Sequence, residues 1–163
     1  MRPAEQIRYL ILAAQRGGNR QLASALRPLG LTPSQAEVLR LLADQQPLTL
    51  TGLGELLVCE SGTNPSRLID RLVTAGLVER VESSRDRRHV ELTLTADGQQ
   101  KADLIAGIEE QMYEFIDTAG AGHDTGAVIA YLRALVDDQP AGLAVQRRAE
   151  WPGPPRHYTP WAR

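Results

Sequence analysis

One cysteine in 163 residues leaves no partner for an internal disulfide. A lone thiol suits a reducing compartment, so the cytoplasm is the expected location. No apolar run approaches the roughly 20 residues that cross a bilayer. The opening Met1-Arg-Pro-Ala-Glu-Gln6 carries no signal-peptide pattern, and no membrane partner is expected. Overall positive charge is also missing: the net charge is −2 and the pI about 5.9, which excludes a general coater of nucleic acid. His89, His123 and His157 are scattered without ligand spacing, so no metal site is expected. There is no Gly-rich phosphate loop, no Ser/His/Asp set and no paired catalytic carboxylates. Neither a cofactor nor an enzymatic activity is expected.

What the chain does have is local. A hydrophobic content of 42% in this length suits one domain with a sizeable core. Arg67, Arg71, Arg80, Arg85, Arg87 and Arg88 crowd one short window, while acidic residues dominate the flanking segments. The stretch from Leu77 to Thr95 reads as two short alternating strands joined by an arginine-studded turn. It follows directly on an amphipathic helix that ends at Gly76. A helix followed by a basic β-wing suits DNA: the helix lies in a major groove and the arginines reach the adjoining minor groove. His89, beside those arginines, reads as a bystander.

Helical periodicity and start signals place the other elements. Ile7, Leu10, Ile11, Ala14, Leu22 and Leu26 mark a helix from Ala4 to Leu29. Gly17-Gly18 costs it about 1 kcal/mol per glycine and predicts a kink, a break or a close helix–helix approach. Thr32, Pro33 and Gln35 form a capping box for a helix that buries Ala36, Val38, Leu39 and Leu42 and stops before Pro47. A shorter helix starts at the Thr49 cap and buries Leu50, Leu53, Leu56 and Leu57.

The recognition helix, about Thr63 to Ala75, is capped either by Ser61 or by Asn64 with Pro65 in its first turn; the second option obeys local chemistry better. Leu68, Ile69, Leu72 and Val73 point inward. Thr63, Asn64, Ser66, Arg67, Asp70, Arg71 and Thr74 are left for the opposite face. On that face Arg67 and Arg71 are candidates for guanine edges or phosphates; the alternative is a solvated face with Asp70 paired to a neighbour. Thr95 opens a long helix striped by Ala102, Ile105, Ile108, Met112, Phe115 and Ile116. After Gly120-Ala-Gly122 another helix carries Val128, Ile129, Leu132, Leu135 and Val136. Such stripes exceed what a small winged domain covers, and they predict a homodimer built from both termini.

Cys59, just before the recognition helix, reads as a small buried hydrophobe; the alternative is a redox switch, which Glu60 and the absence of a resolving cysteine oppose. Beyond Asp138 the composition turns to proline with interleaved aromatic and basic residues, giving an extended tail over 139–163. That tail is either disordered, or docked through Trp151, Tyr158 and Trp161, or a source of DNA-backbone affinity through Arg147, Arg148, Arg156 and Arg163.

The stretches Leu29 to Leu42 and Ser66 to Arg80, the turn Asp86-Arg-Arg88 and the Leu94-Thr-Ala-Asp-Gly98 run resemble, in order and spacing, the MarR family of bacterial transcriptional regulators. The resemblance covers roughly residues 4 to 138. It implies a mostly α, winged helix-turn-helix fold of about six helices with a two- or three-stranded wing, dimerisation helices over 4–30 and 95–138, and a DNA-binding lobe over 31–94. It also implies a repressor that binds a palindromic operator as a homodimer and responds to a small-molecule effector, often phenolic or anionic. The effector site is expected between the helix around Ile7 to Leu26, the long helix after Thr95 and the DNA lobe. In the wing, Arg88 would enter the minor groove with Asp86 holding its guanidinium, flanked by Arg85 and Arg87. Two other functions compete: a winged-helix protein-interaction module, favoured by Pro65 and the acidic charge, and a regulator switched through the Cys59 thiol.

Overall fold

A computed structural model describes residues 1–59, 64–83 and 90–151. In chain order the elements are α1 (Pro3–Leu26), a 3-10 turn (Arg27–Leu29), α2 (Pro33–Gln45), β1 (Leu48–Thr49), α3 (Leu50–Gly54), α4 (Pro65–Thr74), β2 (Val78–Glu82), β3 (Val90–Leu94), α5 (Ala96–Gly120), α6 (Thr125–Ala134) and α7 (Pro140–Glu150). No helix among the described residues is long and apolar enough to cross a membrane.

Local hydrogen bonding sets most element starts. The Thr32 hydroxyl accepts from the Gln35 amide while the Gln35 side chain accepts from the Thr32 amide, closing the expected capping box. Thr49 caps α3 by accepting from the Gly52 amide at 3.1 Å. Asn64 caps α4, with Pro65 in its first turn. Asp124 caps α6 by accepting from the Ala127 amide at 2.9 Å.

The core lies where α2, α4, the sheet and the first half of α5 meet. Leu39, Leu42, Leu53, Ile69, Leu72 and Ile105 are fully buried there. Leu26 at the end of α1 joins them, so α1 enters the core only through its last turns. The sheet has the order β1-β3-β2, with both pairs antiparallel. Val78 faces Leu94, Arg80 faces Leu92 and Glu82 faces Val90, which makes β2 and β3 the stem of the wing.

Three features differ from the sequence expectation. Helix α1 runs unbroken through Gly17 and Gly18, and open space lies beside both glycines. Helical cooperativity on either side, with Leu22 and Leu26 packed into the core, offsets the intrinsic glycine cost. Leu50 is 38% exposed: α3 is a single short helix whose one buried face is taken by Leu53. Finally, residues 140–150, expected within an extended tail, form α7.

Candidate nucleic-acid interface

The interface is built on α4. Asn64 Oδ1 accepts from the Ser66 amide at 2.9 Å, so its carbonyl is committed to starting the helix. Leu68, Ile69 and Leu72 bury the inner face, fixing the rotation of the helix about its axis. That rotation leaves Arg67 and Arg71 exposed one turn apart on the outer face, and neither has an ion-pair partner among the described residues. Asp70, exposed between them in sequence, is drawn aside: its Oδ1 accepts from Arg80 Nη2 at 2.7 Å. The acid that would repel a phosphate is thus paired to strand β2, and the two helix guanidiniums remain available.

The wing stem stands beside α4 because the hairpin follows it directly. The Leu77 amide donates to the Leu72 carbonyl, and the Thr95 amide donates to the Leu77 carbonyl, closing the hairpin base. Ser83 is buried, and its hydroxyl donates to Glu91 Oε1 at 2.7 Å across the stem. Of the expected contacts, Asn64, Ser66, Arg67 and Arg71 therefore share the start and outer face of one helix. Thr63 and the wing-tip residues Arg85, Asp86, Arg87 and Arg88 lie outside the described residues, as does His89.

Thr95 and Gly98 hold this lobe on α5. The Thr95 hydroxyl accepts from the Gly98 amide at 3.0 Å and donates to the Gly76 carbonyl at 2.7 Å. Gly98 is buried directly against the Leu77 carbonyl, where any Cβ would collide with backbone. This explains the Leu-Thr-x-x-Gly spacing physically: one residue type caps and tethers, the other permits contact. On the far side, Arg40 Nε reaches Glu109 Oε2 at 3.2 Å, tying α2 to α5.

Cys59 sits in the turn after α3. Its thiol is pushed up from 9.0 to about 11, first by burial and then by the Glu37 carboxylate. A thiol held this way is a poor nucleophile, so the geometry speaks against the thiol-switched alternative. The thiolate fraction at pH 8 should lie about hundredfold below that of a free cysteine, and alkylation by iodoacetamide should be correspondingly slow. Sign follows from the same shift. Below pH 9 both folded and unfolded chains carry the neutral thiol; from pH 9 towards 11 only the unfolded chain ionises, so stability falls. Denaturation at pH 8 and pH 10 should show that loss in the wild type and not in Cys59→Ser; equal behaviour would contradict it.

Beside Cys59 a crevice of about 730 Å³ separates α1 from the lobe. Gln15, Asn19 and Ala23 of α1 line one side, Leu57, Val58 and Cys59 another, and Gln139, Pro140 and Ala141 close it. The joint between α6 and α7 forms part of this crevice, and the long helix after Thr95 does not line it. Sequence reasoning also missed Glu37, buried on α2, whose carboxylate accepts from the Val58 and Cys59 amides at 2.8 and 2.9 Å. Within a helix pattern a lone glutamate carries no signal of that role. Arg147 and Arg148, considered for DNA-backbone contact, are turned onto the chain itself: Arg147 Nη1 donates to the Glu55 carbonyl and Arg148 Nε to the Leu56 carbonyl. Trp151 is half-exposed, and Tyr158, Trp161, Arg156 and Arg163 lie outside the described residues.

The MarR family profile matches residues 31–90. The chain is 34% identical over 110 residues to the organic hydroperoxide resistance transcriptional regulator of Bacillus subtilis, covering 66% of this chain and 74% of that protein. A cysteine-to-serine variant of E. coli MarR complexed with operator DNA superposes with a TM-score of 0.65 at 28% identity, over 80% of this chain and 93% of that one. BpsR of Bordetella bronchiseptica, whose DNA binding is regulated by 6-hydroxynicotinic acid, superposes with a TM-score of 0.66 at 25% identity, over 85% and 97% of the two chains. The chain belongs to the MarR family of winged-helix transcriptional regulators.

Proposed function

We propose that this protein is a repressor that reads a palindromic operator as a homodimer and lets go when a small molecule enters the crevice beside α1. The observation that carries the reading is the outer face of α4, where Arg67 and Arg71 stand exposed while Asp70 is paired to Arg80. A helix with two guanidiniums that have no ion-pair partner among the described residues, beside a hairpin stem, suits the major groove. By sequence Arg85, Arg87 and Arg88 belong to the turn between β2 and β3, and in this reading they would serve the minor groove, with Asp86 pairing Arg88. The likeness to an operator-bound relative supports the same docking.

Dimerisation is supported by the apolar surface that one chain leaves uncovered. Leu10 of α1, Phe115 and Ile116 of α5, and Val128, Ile129 and Leu132 of α6 are all exposed. Two-fold symmetry puts the two recognition helices about one DNA turn apart and demands a near-palindrome. For the effector, the crevice walls offer the amides of Gln15 and Asn19 beside apolar Ala23, Leu57 and Val58. That mixture suits a small aromatic acid or phenol.

The test is selection of binding sites from random DNA, followed by salt titration of the best site. A palindrome with a steep salt slope, about −0.9 per phosphate contact, is expected. Weak binding blind to sequence would overturn the proposal in favour of a protein-interaction module. On the selected site, Arg88→Ala should weaken binding at least about tenfold, a loss of about 1.4 kcal/mol that lies within the roughly 1–3 kcal/mol of a good groove contact. Unchanged affinity would remove the wing from the mechanism.

A further inference from the structure

Helix α7 makes polar contacts to the turn that leads into the recognition helix. Arg148 donates through Nε to the Leu56 carbonyl at 2.7 Å and through Nη2 to the Glu37 carboxylate. The two oxygens of Glu37 meanwhile accept from the Val58 and Cys59 amides. One carboxylate therefore joins α2, the turn after α3, and α7. Glu37 is only 9% exposed, and a carboxylate so placed is tolerated only with a cation and amide donors around it. Arg148 supplies the cation, and Glu37 holds the turn five residues before the Asn64 cap. The seat of α7 is itself specified. Ala144 is 1% exposed, and Gly142 lies against the Val136 carbonyl, where a Cβ would collide with backbone.

We infer that α7 is a positioning strap for the recognition helix, acting through Arg148 and Glu37, and that it is the joint by which the crevice controls DNA binding. The inference rests on the readings of α4 as the DNA-contacting helix and of the crevice as the effector site. The crevice is lined both by Val58 and Cys59, whose amides Glu37 holds, and by Gln139 to Ala141, where α7 begins. A ligand that separates these walls draws α7 from the turn. The turn then loses the Arg148 contact at the Leu56 carbonyl, Glu37 loses its cation, and α4 loses its fixed approach to DNA. Arg148 is a positioning residue here and touches no DNA.

Arg148→Met in the full-length protein tests this, with Arg147→Met as the comparison. Arg147 bonds the Glu55 carbonyl at 3.1 Å and makes a 3.9 Å pair with the Glu55 carboxylate, both at a largely exposed site where such contacts contribute little, and it reaches neither Glu37 nor the Leu56 carbonyl. For Arg148→Met, amide hydrogen exchange at Val58 and Cys59 should quicken about tenfold and operator affinity should fall by a similar factor, within the range of ordinary inter-site coupling. Sedimentation should show the wild-type oligomer. Arg147→Met should change neither quantity by more than about twofold. Arg148→Lys keeps a cation but not the simultaneous reach to Glu37 and the Leu56 carbonyl, so it should fall between the wild type and Arg148→Met, and it serves in place of Arg148→Met if that variant does not fold. Exchanging the charges, Glu37→Arg with Arg148→Glu, should not restore binding, because arginine cannot accept from the two amides.

Unchanged exchange at Val58 and Cys59 in both Arg148 variants overturns the strap. Faster exchange with unchanged operator affinity overturns its coupling to DNA. If the wild type selects no operator, the proposed function fails, while the exchange measurement still decides the strap.

Discussion

Gly98→Ala is expected to destabilise the protein by about 3 kcal/mol, the upper end of ordinary overpacking, and to lower Tm by roughly 6–12 °C for a chain of this size. The added methyl has nowhere to go. It meets the Leu77 carbonyl, which is backbone and is already accepting from the Thr95 amide at 3.2 Å. Relief requires α5 to lift from the end of α4, and the lift breaks the Thr95 bonds to Gly76 and Gly98. Gly107→Ala, in the same helix but with open space beside it, is the matched control. It should be neutral or stabilising by up to about 1 kcal/mol, the intrinsic preference of a helix interior for alanine. Thermal melts of the two variants decide the matter: equal Tm values would show that α5 can slide without cost and that the glycine is not a packing requirement.

An acidic residue in the uncovered apolar face should have the larger effect on function. Ile129 is 53% exposed on α6, and its neighbours Val128 and Leu132 are exposed as well. If that face is buried against a second copy, Ile129→Asp places an unpaired carboxylate in an apolar interface, at a cost that a dimer does not survive. Sedimentation should then give a monomer. Operator affinity should fall about 10²- to 10⁴-fold, because each recognition helix must find its half-site without its twin. The melting of the winged lobe should be little changed, since the buried residues Leu39, Ile69 and Leu72 lie elsewhere. A variant that stayed dimeric with full affinity would place the dimer contact on another face.

Both predictions draw on residues of different legibility. The Leu-Thr-x-x-Gly run was readable as a pattern, yet its reason is a contact between Gly98 and a carbonyl 21 positions earlier. The apolar stripes of α5 and α6 were readable outright, since 3.6-residue periodicity needs only the sequence. Their exposure in a single chain is what turns periodicity into an argument for a partner.

Sequence alone determined where α2 to α6 begin and that α4 turns Leu68, Ile69 and Leu72 inward. The Thr32 and Gln35 box, the Thr49, Asn64 and Thr95 caps and the Asp124 restart each depend on bonds spanning two or three residues, so neighbours in sequence suffice to specify them. The inward face of α4 and the exposure of Arg67 and Arg71 on its outer face followed from the same local rules. Only the tertiary structure decided that Asp70 is taken up by Arg80, that α1 passes straight through Gly17 and Gly18, and that α7 exists and closes the crevice. It alone joined Glu37 to Arg148, 111 positions apart. A cap is chosen by the residues beside it, but a buried carboxylate is matched to whichever distant cation the packed helices bring within reach, and no pattern along the chain records that meeting.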